Sequence, residues 1–390
     1  MRKIRNNIFF IGSIDWDRRL FDELIPLPDG TSYNSYLIKG SQKTAIIDTV
    51  DPEFSEEFLD KLKDLEKLDY IISNHAEQDH SGSIPMLLKR FPDAKLVTNK
   101  QCKNMLIDLL DISGNRFVVV EDGQEISLGD KTLKFILTPW VHWPETMVAY
   151  LKEDSILFSC DFFGSHLAAS DLFVKNKCEV YEAAKRYYAE IMMPFRKMIK
   201  KNMEKLKGLD IEIIAPSHGP LYDEPEFIMD AYKDWISDNV KNEVVIAYVS
   251  MHGSTKLMTD RLVDFLIEKD ITVRKINIAH TDIGKLAINL VDAATIIIAT
   301  PTVLVEPHPH AAYAAIIANI LKPKAKFFTV IGSYGWAGTM VERIKKYVPN
   351  IKAEFLEPVL SRGKPGKKEY EMLENLAEKI KNRHEKVIKK

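Results

Sequence analysis

The chain has 390 residues with a formal charge of −2, and 46% of them are hydrophobic and 28% charged. This balance is typical of a globular protein and gives no basic excess that would indicate nucleic acid as a partner. No run approaches the roughly 20 apolar residues of a membrane span, and no secretory signal opens the chain, so we expect a cytoplasmic protein without a membrane partner.

Short apolar runs alternate with stretches of helical period in the first part of the chain. Helices are predicted at Glu53–Leu65, at Ile84–Arg90 and, as a long amphipathic stretch, at Glu179–Lys207. Further closely spaced strands, with few helices among them, are predicted between residues 117 and 159. The earlier strands are predicted at Asn7–Gly12, Ser35–Lys39, Ala45–Asp48, Tyr70–Ser73, Lys95–Thr98 and Phe117–Val120. The pattern predicts two sheets with helices outside.

A regular strand–helix alternation begins after a predicted helix at Glu224–Asn239. Strict alternation of this kind predicts a doubly wound parallel sheet. The predicted elements are strand Val244–Val249, helix Lys256–Glu268, strands Thr272–Asn277 and Thr295–Ala299, helix Ala311–Leu321 and strand Lys326–Ile331. Since 390 residues exceed what one core usually supports, we expect two α/β domains, residues 1–240 and 241–390.

Candidate metal ligands cluster in the segment that follows the predicted strand Tyr70–Ser73. His75, Glu77, Asp79 and His80 fall within six residues. A loop leaving a strand end lets side chains converge on one point, because its backbone is not bound to a helical or pleated repeat. This segment is therefore the strongest functional signal in the sequence.

Three more candidate ligands, His142, Asp161 and His218, each follow another apolar strand. The total of four imidazoles and three carboxylates is too large for one ion and fits two metals that share a carboxylate. Iron, manganese and zinc are all compatible with such a donor set. The three cysteines form no Cys-X-X-Cys pair, so a zinc ribbon or a rubredoxin-type iron centre is not expected.

The arrangement resembles the metallo-β-lactamase fold, with Glu77 where a second histidine is usual. That variant, followed by His142, Asp161 and Pro216-Ser217-His218-Gly219, resembles the flavodiiron proteins, also called A-type flavoproteins. The resemblance implies an N-terminal αββα sandwich and a flavodoxin-like αβα domain. It also implies one iron held by His75, Glu77 and His142, a second held by Asp79, His80 and His218, and Asp161 as the bridge.

The resemblance further implies supporting roles for His166 and for the pair Tyr187-Tyr188, of which Tyr188 is our candidate. A tyrosine pair on an amphipathic helix is also what an ordinary core contains. Cys160 adjoins Asp161 and could reach the metals, but a small buried residue is the ordinary role of such a cysteine.

A candidate phosphate site follows the strand Val244–Val249. Hydroxyls and backbone N–H groups at a helix N-terminus bind anions, and Gly253 permits close approach. Neither a Walker A motif nor a Gly-X-Gly-X-X-Gly motif is present, which favours a mononucleotide. The loop consists of Ser250, Met251, His252, Gly253, Ser254 and Thr255.

Two later segments, predicted as loops at strand ends, complete the candidate flavin mononucleotide (FMN) site. Ligands of open parallel sheets bind at these carboxyl ends, and Tyr334 and Trp336 offer flat faces for an isoalloxazine ring. The segments consist of Thr300, Pro301, Thr302 and Val303, and of Ser333, Tyr334, Gly335, Trp336, Ala337 and Gly338. Their order resembles flavodoxin.

The resemblance implies an enzyme in which FMN passes electrons to a diiron centre that reduces dioxygen to water, nitric oxide to nitrous oxide, or both. It also implies an external donor, either rubredoxin or a reduced deazaflavin, and a head-to-tail homodimer or homotetramer. A zinc hydrolase with a regulatory flavin domain is the alternative, and Glu77 argues against it. A non-catalytic electron carrier would leave the full ligand set unexplained.

Overall fold

The computed structural model describes residues 1–388, so the last two residues of the predicted second domain lie outside the described part. The chain divides into two compact units. The first comprises Met1–Tyr188 and Phe195–Ile236, and the second comprises Ala189–Pro194 and the chain from Ser237 onward. No helix within residues 1–388 is long and apolar enough to cross a membrane.

The first unit contains a mixed seven-stranded sheet. Its first four strands pair antiparallel and its last four pair parallel, so the fourth strand belongs to both sets. Its strands, in sheet and chain order, are Arg2–Arg5, Ile8–Phe10, Tyr36–Lys39, Thr44–Ile47, Tyr70–Ile72, Lys95–Thr98 and Phe117–Val119. Two short antiparallel strand pairs lie outside this sheet. They are Ser13–Asp15 with Thr31–Tyr33 and Leu20–Phe21 with Ile25–Pro26.

A five-stranded sheet forms the second layer of this unit. Its strands are Glu125–Ser127, Thr132–Leu137, Met147–Leu151, Ile156–Cys160 and Ile213–Pro216. Ile38 and Ile47 of the first sheet and Phe135, Ala149 and Phe158 of the second belong to one buried apolar cluster. Burial of such side chains is the main stabilising term in folding, so this cluster holds the two sheets face to face.

Helices of the first unit bury apolar faces. Phe58, Leu87 and Leu106, from three different helices, join a second apolar cluster with residues of the first sheet. The helices are Ser55–Lys61, Gln78–Ser81, Ile84–Arg90, Lys100–Leu110, Lys177–Tyr187, Arg196–Leu206 and Pro225–Trp235. The 3₁₀ turns are Pro52–Phe54, Gly114–Arg116 and Met193–Phe195, and Tyr188–Met192 is a π-helical turn.

Three predicted helices differ from the structure. Glu53–Leu65 and Glu224–Asn239 were predicted too long, since the helices there are Ser55–Lys61, after a 3₁₀ turn, and Pro225–Trp235. The predicted continuous stretch Glu179–Lys207 is interrupted between residues 188 and 195. Pro194 lies in this interruption, and its ring removes a backbone donor and blocks the preceding turn of an α-helix.

The second unit is built on a parallel sheet. Its strands, in spatial order, are Thr272–Asn277, Lys241–Tyr248, Ala293–Val303, Phe327–Tyr334 and Glu354–Phe355. Val359–Arg362 pairs parallel with Phe327–Tyr334, and Glu306–Pro307 pairs antiparallel with Ala293–Val303. Numbered along the chain, the parallel strands follow the order 2-1-3-4-5, which is that of flavodoxin-like folds.

The helices of this unit are Ser254–Ile267, Ile283–Leu290, Pro309–Leu321, Met340–Tyr347 and Lys367–Val387. Ile283–Leu290 was not predicted. The predicted fold class, a metallo-β-lactamase-like sandwich followed by a flavodoxin-like sheet, is confirmed. The predicted boundary between residues 240 and 241 stays a prediction.

His384 links the last helix to the sheet of the second unit. Only 2% of the residue is exposed. Its Nε2 lies 2.7 Å from Thr295 Oγ1 and its Nδ1 lies 2.8 Å from Asn242 Oδ1. Burial lowers the pKa of His384 to about 4, because a buried imidazole is desolvated as it gains charge.

We predict that this unit loses stability as the pH falls from about 6.5 toward 4. In that range the unfolded chain binds a proton at His384 that the folded chain does not, which costs up to about 3 kcal/mol. Urea unfolding at pH 7.5, 5.5 and 4.5, followed by hydrogen-exchange mass spectrometry on peptides of residues 241–388, measures this loss. His384→Gln should flatten the pH dependence, and an unchanged dependence in that variant would assign it to other groups.

Candidate metal centre and flavin segments

The predicted metal ligands all follow carboxyl ends of strands. His75 and Glu77 follow Tyr70–Ile72, and the short helix Gln78–Ser81 carries Asp79 and His80. His142, Asp161 and His218 follow three strands of the five-stranded sheet that point in one direction. Because these strand ends lie at the same edge, the structure brings all seven side chains together.

One group consists of His75, Glu77 and His142 with Asp161. Glu77 Oε2 lies 3.0 Å from His75 Nε2 and 3.1 Å from His142 Nε2. Asp161 Oδ2 lies 3.5 Å from His75 Nε2 and 3.3 Å from His142 Nε2. Two imidazole nitrogens and two carboxylate oxygens therefore face a common point.

A second group consists of Asp79, His80 and His218, and it also meets Asp161. Asp79 Oδ2 lies 3.2 Å from Nε2 of both His80 and His218. Asp161 Oδ1 lies 3.0 Å from His80 Nε2 and 3.6 Å from His218 Nε2. Asp161 thus turns one oxygen toward each group, which is the arrangement required of a bridging carboxylate.

The pKa values of these side chains show how strongly the cluster attracts positive charge. Burial alone would lower the pKa of His80 and His142, but the surrounding carboxylates raise both to about 9. Burial raises the pKa of the Asp161 carboxyl, yet the imidazoles around it hold that pKa well below its usual range. The cluster is an anionic site that favours cations.

The donor atoms fit two bound metal ions. Both carboxylate oxygens of Asp79, Nε2 of His80 and Oδ2 of Asp161 are buried, and despite their short separations none makes a hydrogen bond of proper geometry within the described residues. Buried polar atoms without partners are costly, whereas coordination would satisfy them. A mixed imidazole and carboxylate set at each position suits iron, and Glu77 makes the first position harder and more anionic.

Glu145 was missed by the sequence analysis. Its side chain is fully buried, and its Oε1 accepts hydrogen bonds from His75 Nδ1 at 2.7 Å and from the backbone N–H of Ala76 at 3.0 Å. The carbonyl of Ser32, also missed, accepts from His218 Nδ1 at 2.6 Å. These bonds turn Nε2 of each imidazole toward the metal position. Glu145 lies three residues after a candidate ligand, and that spacing was its only signal.

His166 and Tyr187 lie beside the second group. The His166 ring centroid is 4.7 Å from that of His218, and the Tyr187 centroid is 4.8 Å from that of His166. Tyr188 instead packs against Tyr232 and Trp235. Neighbouring residues of a helical segment point about 100° apart, so the structure places Tyr187 rather than Tyr188 beside the ligands.

Cys160 also lies near the ligands. Its Sγ and ligand atoms of His80 and Asp161 all lie within 4.8 Å of one another. Burial raises the pKa of its thiol well above the usual range. Cys160 is therefore a buried neutral thiol, as the ordinary role of such a cysteine implies.

The first predicted flavin segment lies at the N-terminus of the helix Ser254–Ile267. Gly253 precedes the helix with φ +89°, and open space surrounds the position of a Cβ there. Ser250 Oγ accepts from the backbone N–H of Lys256 at 3.2 Å. The remaining N–H groups of the first turn can bind an anion.

The two later segments differ from the prediction that they are loops. Thr300–Val303 continues the strand Ala293–Val303, and Ser333 and Tyr334 end the strand Phe327–Tyr334. These strands are longer than predicted because they continue to pair beyond the predicted ends, where Thr300 lies opposite Gly332. Gly335–Gly338 do lie beyond a strand. Pairing between parallel strands cannot be read from a single apolar run.

The three segments nevertheless lie at the carboxyl edge of one parallel sheet. Thr255 Oγ1 lies 2.9 Å from Ser333 Oγ, which joins the first segment to the third. Trp336 is 82% exposed, and Thr302 Oγ1 is buried without a partner among the described residues. An open anion site, an unpartnered hydroxyl and an exposed aromatic face fit a flavin nucleotide.

Comparisons with known proteins agree with this geometry. A family model described as the ODP family β-lactamase matches residues 31–219. A protein of uncharacterised function from Methanocaldococcus jannaschii is 37% identical over 90% of this chain and 89% of its own length. The anaerobic nitric oxide reductase flavorubredoxin of Klebsiella pneumoniae is 34% identical over 93% of this chain and 77% of its length.

Solved structures match the chain over nearly its whole length. Rubredoxin:oxygen oxidoreductase from Desulfovibrio gigas has a TM-score of 0.95 and 28% identity, and the match covers 99% of both chains. The flavodiiron protein from Giardia intestinalis has a TM-score of 0.91 and 26% identity, and the match covers 100% of this chain and 98% of the other.

We predict that His80→Ala lowers iron content by about half and spares flavin, because one of two metal positions loses a ligand. Metal analysis and flavin absorbance of purified protein measure both quantities. His280→Ala, at an exposed position of the second unit, is the matched control. Undiminished iron in His80→Ala would remove His80 from the ligand set.

We predict that Gly253→Val lowers flavin occupancy without loss of iron, because a β-branched residue at this positive φ distorts the turn. Gly208 has φ +87° and equally open surroundings in the first unit. Gly208→Val should therefore cost similar stability, about 1–3 kcal/mol, and keep the flavin. Equal flavin loss in both variants would show that strain, rather than the loop, decides occupancy.

Proposed function

The chain belongs to the flavodiiron protein family, and on that premise we propose that its FMN passes electrons to a non-haem diiron centre at which dioxygen or nitric oxide is reduced. It is an oxidoreductase. The single observation that carries the proposal is the position of Asp161, whose two oxygens face two separate groups of ligands.

We assign the two iron positions to the two groups described above. His75, Glu77 and His142 would hold the first iron, Asp79, His80 and His218 would hold the second, and Asp161 would be the shared ligand. The diiron domain spans residues 1–240 and the FMN domain spans residues 241–390. His166 supports the centre, and the ring contacts of Tyr187 favour it over Tyr188 for the same role.

The iron ions, when bound, supply open coordination positions and reducing electrons, and the FMN supplies electron transfer in single steps. The protein residues control access and orientation. The side chains of Glu77 and His142 are 15% and 16% exposed, whereas those of His75, Asp161 and His218 are at most 2% exposed. The gas therefore reaches the centre from the side of Glu77 and His142.

A buried hydrogen bond holds the carboxylate of Asp161 in place. Ser217 Oγ donates to Asp161 Oδ1 at 2.7 Å, and Ser217 immediately precedes His218. A shift of Asp161 would therefore also move a ligand of the second position. This hydrogen bond ties the carboxylate of Asp161 to the loop that carries His218.

The zinc hydrolase alternative is not favoured. Relatives over most of the chain are named as a nitric oxide reductase flavorubredoxin and a rubredoxin:oxygen oxidoreductase. Glu77 also adds a carboxylate where the hydrolase pattern has an imidazole. Harder, more anionic donor sets favour iron over zinc.

Electrons reach the FMN from an external donor, rubredoxin or a reduced deazaflavin. The exposed side chains of Trp336 and Met251 within the flavin segments support docking of such a donor or of a second subunit. We propose a head-to-tail homodimer, or a homotetramer built from such dimers, in which the flavin of one subunit lies near the irons of another.

We predict rapid consumption of dioxygen or nitric oxide by anaerobically purified protein of known iron and flavin content. The gases are followed side by side in a sealed electrode cell, first with reduced rubredoxin and then with reduced deazaflavin. Protein stripped of iron but retaining flavin is the control. If electrons reach the flavin of fully loaded protein and neither gas is consumed, the proposal fails.

A further inference from the structure

The two metal positions differ in the groups that accept hydrogen bonds from Nδ1 of their histidines. His75 Nδ1 donates to the carboxylate of Glu145, whereas His218 Nδ1 donates to the neutral backbone carbonyl of Ser32. His80 Nδ1 is buried without a hydrogen-bond partner in the described chain. Only the position that contains His75 therefore receives an additional negative charge through an imidazole.

We propose that Glu145 is a positioning residue that strengthens metal binding selectively at the position formed by His75, Glu77 and His142. The proposal rests on the diiron function proposed above. Glu145 touches no metal position itself and acts through the ring of His75.

The buried surroundings of Glu145 let its charge act strongly on His75. The side chain is 0% exposed, as is that of His75, so water does not screen the interaction between them. A carboxylate that accepts from the distal nitrogen of an imidazole increases the basicity of the nitrogen that faces the metal. Glu145 therefore orients the ring and also makes Nε2 a stronger donor.

The same surroundings give the carboxylate few competing partners. Oε1 accepts from both His75 and Ala76, while Oε2 is buried and has no partner within residues 1–388. The backbone of Glu145 is held separately, because Asn99 Nδ2 donates to its carbonyl at 2.5 Å. Removing the charge thus leaves the backbone anchor in place.

Glu145→Gln tests the charge, because glutamine has nearly the same shape and still accepts a hydrogen bond from His75. Full-length protein that retains its flavin is stripped of iron under anaerobic conditions and titrated with ferrous ion against a competing chelator. We expect one of the two binding steps to weaken about 10–100-fold, while the other step and the flavin content stay unchanged.

A double-mutant cycle assigns the affected step. His75→Ala removes the imidazole through which Glu145 acts, so adding Glu145→Gln to His75→Ala should have no further effect on the remaining step. An additional loss in the double variant would overturn the proposal, because Glu145 would then act without His75.

Asp48→Asn is the matched control for loss of a buried carboxylate near the centre. Asp48 accepts from the backbone N–H of Asn74 at 2.7 Å and from Asn74 Nδ2 at 2.9 Å, and it bonds to no ligand ring. Asn74 begins the segment that carries ligands of both positions, so we expect Asp48→Asn to affect both steps alike rather than one of them. If Asp48→Asn and Glu145→Gln weaken the same step equally, any nearby charge would suffice and the proposal fails.

If the Glu145→Gln protein does not fold, the Glu145→Asp protein is used in its place. The shorter side chain keeps its charge but withdraws it from His75, so the same step should weaken. Two unchanged steps, or two steps weakened equally, would overturn the role of Glu145. A wild-type chain that binds no iron at all would instead overturn the proposed function.

Discussion

Three carboxylates, those of Asp79, Asp161 and Glu145, are buried at one edge of two packed sheets, and a fourth, that of Glu77, is only 15% exposed there. Ionised groups in a protein interior are strongly unfavourable unless opposite charge and hydrogen bonds compensate them. Imidazoles and backbone N–H groups compensate only in part, since several donor and acceptor atoms have no partner in the described residues. This cluster of the first unit therefore favours cations, and two metal ions would satisfy its unpartnered donor atoms.

Buried hydrogen bonds hold the segment that carries four of the ligands. Asp48 fixes the loop that begins at Asn74, and Thr49 donates to the carbonyl of His80 through both its N–H and its hydroxyl. Asp79 and His80 lie on a short helix and the other ligands lie on loops, and buried hydrogen bonds tie the segment from Asn74 to His80 to the residues that follow the strand Thr44–Ile47. Positions on loops give the ligands freedom to converge, and the bonds then remove that freedom.

The sequence singled out seven side chains that the structure brings together, because two signals coincided, the residue type and a place after an apolar strand. It did not reveal Glu145 or Ser32, since a carboxylate or a carbonyl behind an imidazole has no distinctive spacing. It singled out Tyr188 whereas Tyr187 lies beside the ligands, because the phase of the helix face depends on packing. Strand ends at Val303 and Tyr334 depend on pairing with neighbours, and the helix Ile283–Leu290 is too short for a firm periodic signal.

The distribution of ligands along the chain also bears on how the protein matures. His75 and His80 come from the first sheet, whereas His142, Asp161 and His218 come from the second, so neither sheet alone carries a complete position. A chain whose second sheet has not yet docked can present only an incomplete and weak set of donors. A metal ion would therefore be held tightly only after the more than 140 residues between His75 and His218 have reached their correct places.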